Sequence, residues 1–231
     1  MYESPIQPAA LPAASFVSHD WAGVDVLAET RRAVLARGVG VSVHEALERY
    51  LIGLPRRARR RWIIGNDGPG EIADYIVIEL DSPSQPVSLG LWHAKAAGGT
   101  TPSVRVTDFQ EAVAQAIKSR RWITDLRLWS ELGARLAGQS SPRAHVVEGN
   151  HRLLEALCGR DSRWRRLALS TRQTIVRGEI SIAQPGLSQQ TFEDALEAGP
   201  PLATLQTRDL LAVLHDSVSQ VSPRVTILCS A

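Results

Sequence analysis

Long apolar runs are missing from this sequence. No stretch approaches the roughly 20 apolar residues that a bilayer-spanning helix needs, so no membrane partner is expected and a cytoplasmic location is. The first residues, MYESPIQPAALPAAS, hold neither a positive segment nor an apolar core. They read as a loose leader, or as the edge of a longer parent chain, and not as a secretory signal. Cysteine is scarce. Cys158 and Cys229 stand far apart without metal-site spacing, which argues against a disulfide framework and for two reduced thiols in a reducing compartment. Lysine is scarce beside arginine, and the net charge is only +2 with a pI near 8.8. That balance is too mild to identify a nucleic-acid partner by itself.

What is present is enough to build a core. The chain has 231 residues, 44% of them hydrophobic and 22% charged, close to the globular average. Residues 1–40 read as a leader followed by a helix over 22–37, and residues 41–231 as one α/β body with a possible sub-boundary near 140. Ser42 and Glu45 form an S-x-x-E capping pattern ahead of a helix over 42–54. Extended stretches follow at 61–65, 71–80 and 87–97, the last two joined by DSPSQP. A helix capped by Thr107 with Gln110 is expected to reach about residue 121, and another covers 124–137. The second half predicts strands at 144–148, 173–184 and 225–229, with helices over 152–158 and 207–219. Pro185-Gly186 is expected to stop the middle strand. This order implies a mixed central sheet flanked by helices.

The chemistry concentrates in two of the strands. Alternate strand residues share a face, so Asp74 lies with Ile76 and Ile78, and His93 and Lys95 lie with Leu91. An acid on one apolar strand and His-x-Lys on the next are costly to bury unless they satisfy one another or hold a divalent cation. Asp74 suits an oxygen-seeking cation. Lys95 suits the negative charge that develops on a phosphate under attack. Glu71 is a second candidate ligand if the chain kinks where the strand begins, and Gly68 and Gly70 allow tight turns there. On the following helix, Glu111, Gln115, Lys118 and Trp122 share one face, with Phe109, Ala112, Val113, Ala116 and Ile117 opposite.

GEIADYIVIE, LGLWHAKAA and DFQEAVAQAIKS together resemble the D…(D/E)xK…Q order of the PD-(D/E)xK nucleases, in a variety where histidine replaces the middle acid. ISIAQPGLSQQ and TILCSA resemble that variety's C-terminal half. The resemblance implies a restriction-endonuclease-like fold and a metal-dependent DNA nuclease using Mg²⁺ or Mn²⁺. It implies catalytic roles for Asp74, His93, Lys95 and Gln115, with Asp74, Glu71 and His93 as metal ligands. It also implies a partner or parent chain of the helicase or ATPase type, in a bacterial antiphage-defence or DNA-processing setting. Ser119 stands where a tyrosine often follows the glutamine. The histidine suits Zn²⁺, Ni²⁺ or Mn²⁺ better than Mg²⁺, so an inactive DNA-binding or protein-interaction module stands as the alternative, and homo-oligomer formation is left open.

Three runs mix arginine with tryptophan, at 55–62, 119–122 and 162–166. Arginine binds phosphate bidentately and tryptophan stacks on bases. Arg59, Arg60, Arg61, Lys118, Arg120 and Arg121 are therefore candidate DNA contacts. His44 and Glu48, four apart on the early helix with Glu45 beside them, read as an ordinary surface pair, though the resemblance implies that an early helix can offer an acid to the metal. His145, His151 and His215 read as structural.

Overall fold

Near-continuous burial along the central strands decides the architecture. In the computed structural model, which describes residues 16–38, 40–81, 87–125, 127–158, 177–222 and 224–231, the elements follow in the order β1 (Phe16–His19), α1 (Arg31–Arg37), α2 (Val43–Gly53), β2 (Arg60–Gly65), β3 (Tyr75–Leu80), β4 (Ser88–Ala94), α3 (Val106–Ser119), α4 (Arg121–Thr124), α5 (Arg127–Leu136), β5 (His145–Glu148), α6 (His151–Leu157), β6 (Arg177–Ser188), α7 (Gln189–Glu197), α8 (Leu202–Val218) and β7 (Val225–Ser230). The strands form one seven-stranded sheet in the order β1-β7-β6-β4-β3-β2-β5. From β1 to β4 the neighbours run parallel; from β4 to β5 they run antiparallel. This is a mixed sheet flanked by helices, as the order of elements implied.

Each face of the sheet buries its own core. Ile64, Ile76, Ile78, Leu89, Leu91, Ile180, Ile182 and Ile227 pack under α3, α5 and α8 with Phe109, Ala112, Leu132 and Leu211. Ile63, Tyr75, Trp92, Ala94, Ala183 and Leu228 pack on the other side under α2 with Leu47 and Leu51. Fully burying a side chain such as Phe109 is worth about 1.5–3 kcal/mol.

The α2 capping box forms as its sequence predicts. Ser42 Oγ accepts from Glu45 N, and Glu45 returns a carboxylate to Ser42 N. Other boundaries move. Helix α1 covers only Arg31–Arg37, capped by Thr30. Helix α3 starts at Val106 without a side-chain cap, so Thr107, the expected cap, lies inside it, and Asp108 in its first turn bonds Gly98 N and Arg105. Strand β6 runs through Pro185 to Ser188, since a register shift against β7 between Gln184 and Ser188 spares the proline a ladder bond. Gln184 Oε1 takes the Gly186 N–H instead. Helix α7 and strand β1 were not foreseen. Strand β1 lies parallel to β7, so residues 16–19 join the central sheet and are no loose leader. The arginine run at 162–166 and residues 173–176 lie outside the described residues.

Candidate metal centre

The register of β3 and β4 sets the floor of a cleft. The last paired residues are Tyr75 and Trp92, and one further step brings Asp74 level with His93. The same period that buries Ile76 and Leu91 turns both polar side chains toward α3. Asp74 is 3% exposed and His93 2%. Asp74 Oδ2 accepts from Ala94 N at 2.8 Å. His93 Nε2 lies 3.0 Å from Ser119 Oγ, and that hydroxyl donates to Ala116 O at 2.8 Å. The serine oxygen is thus an acceptor, so Nε2 carries the ring proton and Nδ1 presents a lone pair.

Helix α2 contributes a residue from the other side of the sheet. His44 is buried, with Nε2 4.0 Å from Asp74 Oδ1 and Nδ1 3.8 Å from Asp67 Oδ2. One ligand atom each from His44, Asp67 and Asp74 falls within 4.8 Å of the others. His93 Nδ1 faces the second Asp74 oxygen, also at 4.0 Å. Neither His44 Nε2 nor His93 Nδ1 has a hydrogen-bond partner among the described residues. A separation of 4.0 Å is too long for a hydrogen bond. It is close to twice the roughly 2.0–2.2 Å between a transition-metal ion and its nitrogen or oxygen ligands. His44, Asp67 and Asp74 are thus a group that could hold a divalent cation, while His93 stands outside it at the other Asp74 oxygen.

The electrostatics agree. Burial raises the Asp74 carboxyl to about 6, against the opposing pull of His44 and Ala94 N–H, and Glu71 and Asp67 push it further up. Burial lowers His93 to about 3, with Lys95 adding to the effect. Three acids crowd toward one place, an arrangement that a cation relieves.

The loop carrying Asp67 is held from below. Asn66 Oδ1 accepts from Ile72 N and Arg135 Nη1, and Arg135 Nη2 donates to Gly70 O at 2.9 Å. Gly68 has φ of +136°, and a Cβ there would meet the Pro142 ring at 2.8 Å, so only glycine permits this approach. The loop, Lys95 and α3 enclose a cleft of about 370 Å³ lined also by Glu29, Lys118, Arg121 and Trp122. The chain has only the lysines Lys95 and Lys118, and both line it. Lys95 Nζ sits 3.0 Å from Glu29 Oε1 and 3.1 Å from Glu111 Oε1. Burial alone would depress this ammonium, but the two carboxylates outweigh it and hold its pKa above the ordinary value.

No protein-family model, no curated protein and no solved structure matches this chain. Its residues alone carry the functional reading.

Asp74, His93, Lys95, Gln115, Glu71, Lys118 and Arg121, each singled out from the sequence, meet in this one cleft. Glu71 lies ahead of β3, just after a turn that its own N–H closes onto Gly68 O. Gln115 Nε2 donates to Glu71 Oε1 at 3.3 Å, so it braces Glu71 and not Lys95. Arg121 lies over the Trp122 ring at 4.8 Å. Arg120 turns away and donates to Ser217 O on α8. Arg59, Arg60 and Arg61 sit at the opposite end of β2, about 17 Å from the cleft at roughly 3.3 Å per residue. Arg61 is buried, bonded to Glu148, Ile52 O and Leu54 O. Arg56 and Arg57 there are paired with Glu148 and Glu179. His44, Asp67, Glu29 and Ser119 were missed as site residues. The one sequence signal for His44 was a polar ring at a helix position that proves to be buried.

Proposed function

We propose that this chain is a divalent-metal-dependent phosphodiesterase acting on DNA, with a restriction-endonuclease-like fold. The observation that carries the reading is a buried aspartate, Asp74, that belongs both to a possible cation group with His44 and Asp67 and to the cleft that holds His93 and Lys95. Asp74, Asp67 and His44 would hold the cation, with His93 beside Asp74 and Glu71 on the cleft wall. The bound cation supplies a water of lowered pKa and offsets phosphate charge. The chain's own groups do the rest. Lys95, kept cationic by Glu29 and Glu111, stabilises negative charge developing on the scissile phosphate. Gln115 holds Glu71 in place through its Nε2. Lys118 and Arg121 line the cleft as exposed cations, suited to backbone phosphates. Support for the fold comes from the mixed sheet and from the antiparallel β3–β4 pair that presents Asp74 and Lys95.

One observation favours the alternative of a module that binds without cleaving: Lys95 is already neutralised by two carboxylates. A single assay separates the readings. Plasmid DNA, linear DNA and an RNA of matched length are incubated with the chain and Mg²⁺, Mn²⁺ or Zn²⁺, beside Lys95→Ala. Cleavage by the parent that falls 10²–10³-fold in the variant is expected, the usual loss when one charge-stabilising donor goes. Full activity in Lys95→Ala refutes the role given to it. A gel shift without cleavage under every metal refutes the enzyme and leaves the binding module.

A further inference from the structure

Glu29 touches two parts of the centre at once. Its backbone carbonyl accepts the amide of His44, in the first turn of α2, at 3.0 Å. Its carboxylate accepts a hydrogen bond from Lys95 Nζ, just past the end of β4, also at 3.0 Å. One residue thus ties the helix that presents a candidate cation ligand to the strand that presents the lysine. The segment around it is fastened on both sides. Ala28 O takes the amide of Val43, so Ala28 and Glu29 satisfy two of the N–H groups that the start of α2 leaves unpaired. Asp25 N donates to Val41 O, and Val26 O accepts from Ala97 N at 2.7 Å, two residues past Lys95. Thr30 then caps α1.

A lysine does not fix its own charge. The ammonium rides on a flexible four-carbon stem, so its place is set by whatever accepts its protons. Two carboxylates do so here, and they differ. Glu29 sits on the fastened segment, with 30% of its side chain in solvent. Glu111 projects from α3 with 68% of its side chain in solvent, 3.1 Å from Nζ. An exposed ion pair is weak and readily exchanged, whereas the Glu29 backbone is bonded to α2 and cannot drift from it. We propose that Glu29 is a positioning residue that fixes the Lys95 ammonium relative to the His44, Asp67 and Asp74 group, leaving Glu111 as the partner that a substrate phosphate displaces. The proposal rests on the nuclease reading of the same cleft and deepens it. Stabilising charge on a phosphate under attack depends on where the donor stands, and a misplacement of about 1 Å can cost about 10²-fold in rate.

The test has two arms on the full chain. The first needs neither metal nor DNA. Lys95 and Lys118 are the only lysines, so nitrogen spectra of their ammonium groups are simple, and Lys118→Arg assigns them. The Lys95 ammonium is expected to exchange its protons with water more slowly than that of Lys118. Glu29→Gln should abolish this protection and Glu111→Gln should keep it. The second arm is steady-state cleavage of plasmid DNA with whichever of Mg²⁺, Mn²⁺ or Zn²⁺ supports it. Glu29→Asp keeps the charge but draws it back by about 1.5 Å, one carbon–carbon bond; its kcat should fall about 10²-fold while KM stays near the parental value. Melting curves check that each variant folds, and the carbonyl that caps α2 is the same in all of them. Protection of Lys95 that survives Glu29→Gln, or a parental kcat in Glu29→Asp, overturns the proposal. Protection lost in Glu29→Gln alone, with DNA uncut under every cation, keeps the hold of Glu29 on Lys95 and removes the nuclease. Cleavage that Glu29→Asp leaves untouched keeps the nuclease and removes the positioning role.

Discussion

Replacing Asp74 with asparagine is expected to make the protein more stable and to abolish its metal binding. Burial raises the carboxyl from 3.8 to about 6, so the folded chain holds a proton there more tightly than the unfolded chain does. For a group raised on folding, stability is fully present below the unfolded value and is lost as pH climbs through the folded value. The loss thus develops between about pH 4 and pH 6 and is complete by pH 7. Two pKa units correspond to about 3 kcal/mol. An asparagine in this place stays neutral at every pH, and its side-chain oxygen would still accept from Ala94 N, so the variant avoids that cost. At pH 7 its Tm should exceed that of the parent by about 6–12 °C, using roughly 2–4 °C per kcal/mol for a domain of this size. At pH 4 the two should nearly coincide. A saturating cation reverses the order, because it stabilises only the form that binds it, by about 4.1 kcal/mol at a thousandfold excess over Kd. The assay is a set of melting curves between pH 4 and pH 8, with and without Zn²⁺ or Mn²⁺. A variant less stable than the parent at pH 7 without metal, or one stabilised equally by the cation, would refute the view that Asp74 is a buried ligand held at a cost to folding.

Three further outcomes follow from the same cleft. Glu111 is an exposed partner of Lys95, with 68% of its side chain in solvent, and substrate phosphate must compete with it; Glu111→Gln should lower KM two- to fivefold, the scale of a screened pair worth up to about 1 kcal/mol, and an unchanged KM in steady-state cleavage assays would show that phosphate never reaches Lys95. Arg135 is buried and ties Asn66 and Gly70 O to α5; Arg135→Ala should cost about 2–4 kcal/mol in urea unfolding by leaving those groups unsatisfied and should weaken cation binding as the Asp67 loop loosens. Lys118→Ala with Arg121→Ala should flatten the dependence of log K on log salt by about 1.8 for DNA binding, two contacts at roughly 0.9 each; Arg59→Ala with Arg60→Ala, at the far end of β2, should leave that slope as it was.

What could be read from the sequence divides by the range of the physics involved. Strands β3 and β4 and helix α3 were legible because their signals are local: apolar runs in YIVIEL and VSLGLW joined by a polar Ser/Pro turn, and a period near 3.6 in the run around Phe109 and Ala116. Asp74, His93 and Lys95 were legible for a related reason, since each interrupts an apolar pattern at a cost that calls for compensation. His44 was not. Its pairing with Glu48 looked like helix-surface chemistry, and only the packing of α2 over the end of β3 buries it against a carboxylate 30 positions away. Glu29 and Asp67 sit in loops, where no periodicity reports direction. Ser119 looked like a missing tyrosine and is the anchor of His93. Strand β1 escaped notice because its partner β7 lies some two hundred residues along the chain. Within the arginine run at 55–62 the fold treats each residue differently, and Arg59 stays exposed. Composition made the run a phosphate-binding surface, but Glu148 and Glu179 arrive from β5 and β6 and pair with Arg56, Arg57 and Arg61. Charge counted along the chain measures what is available to a partner only after the fold has spent its own share, and here Lys118 and Arg121 at the cleft are left facing outward.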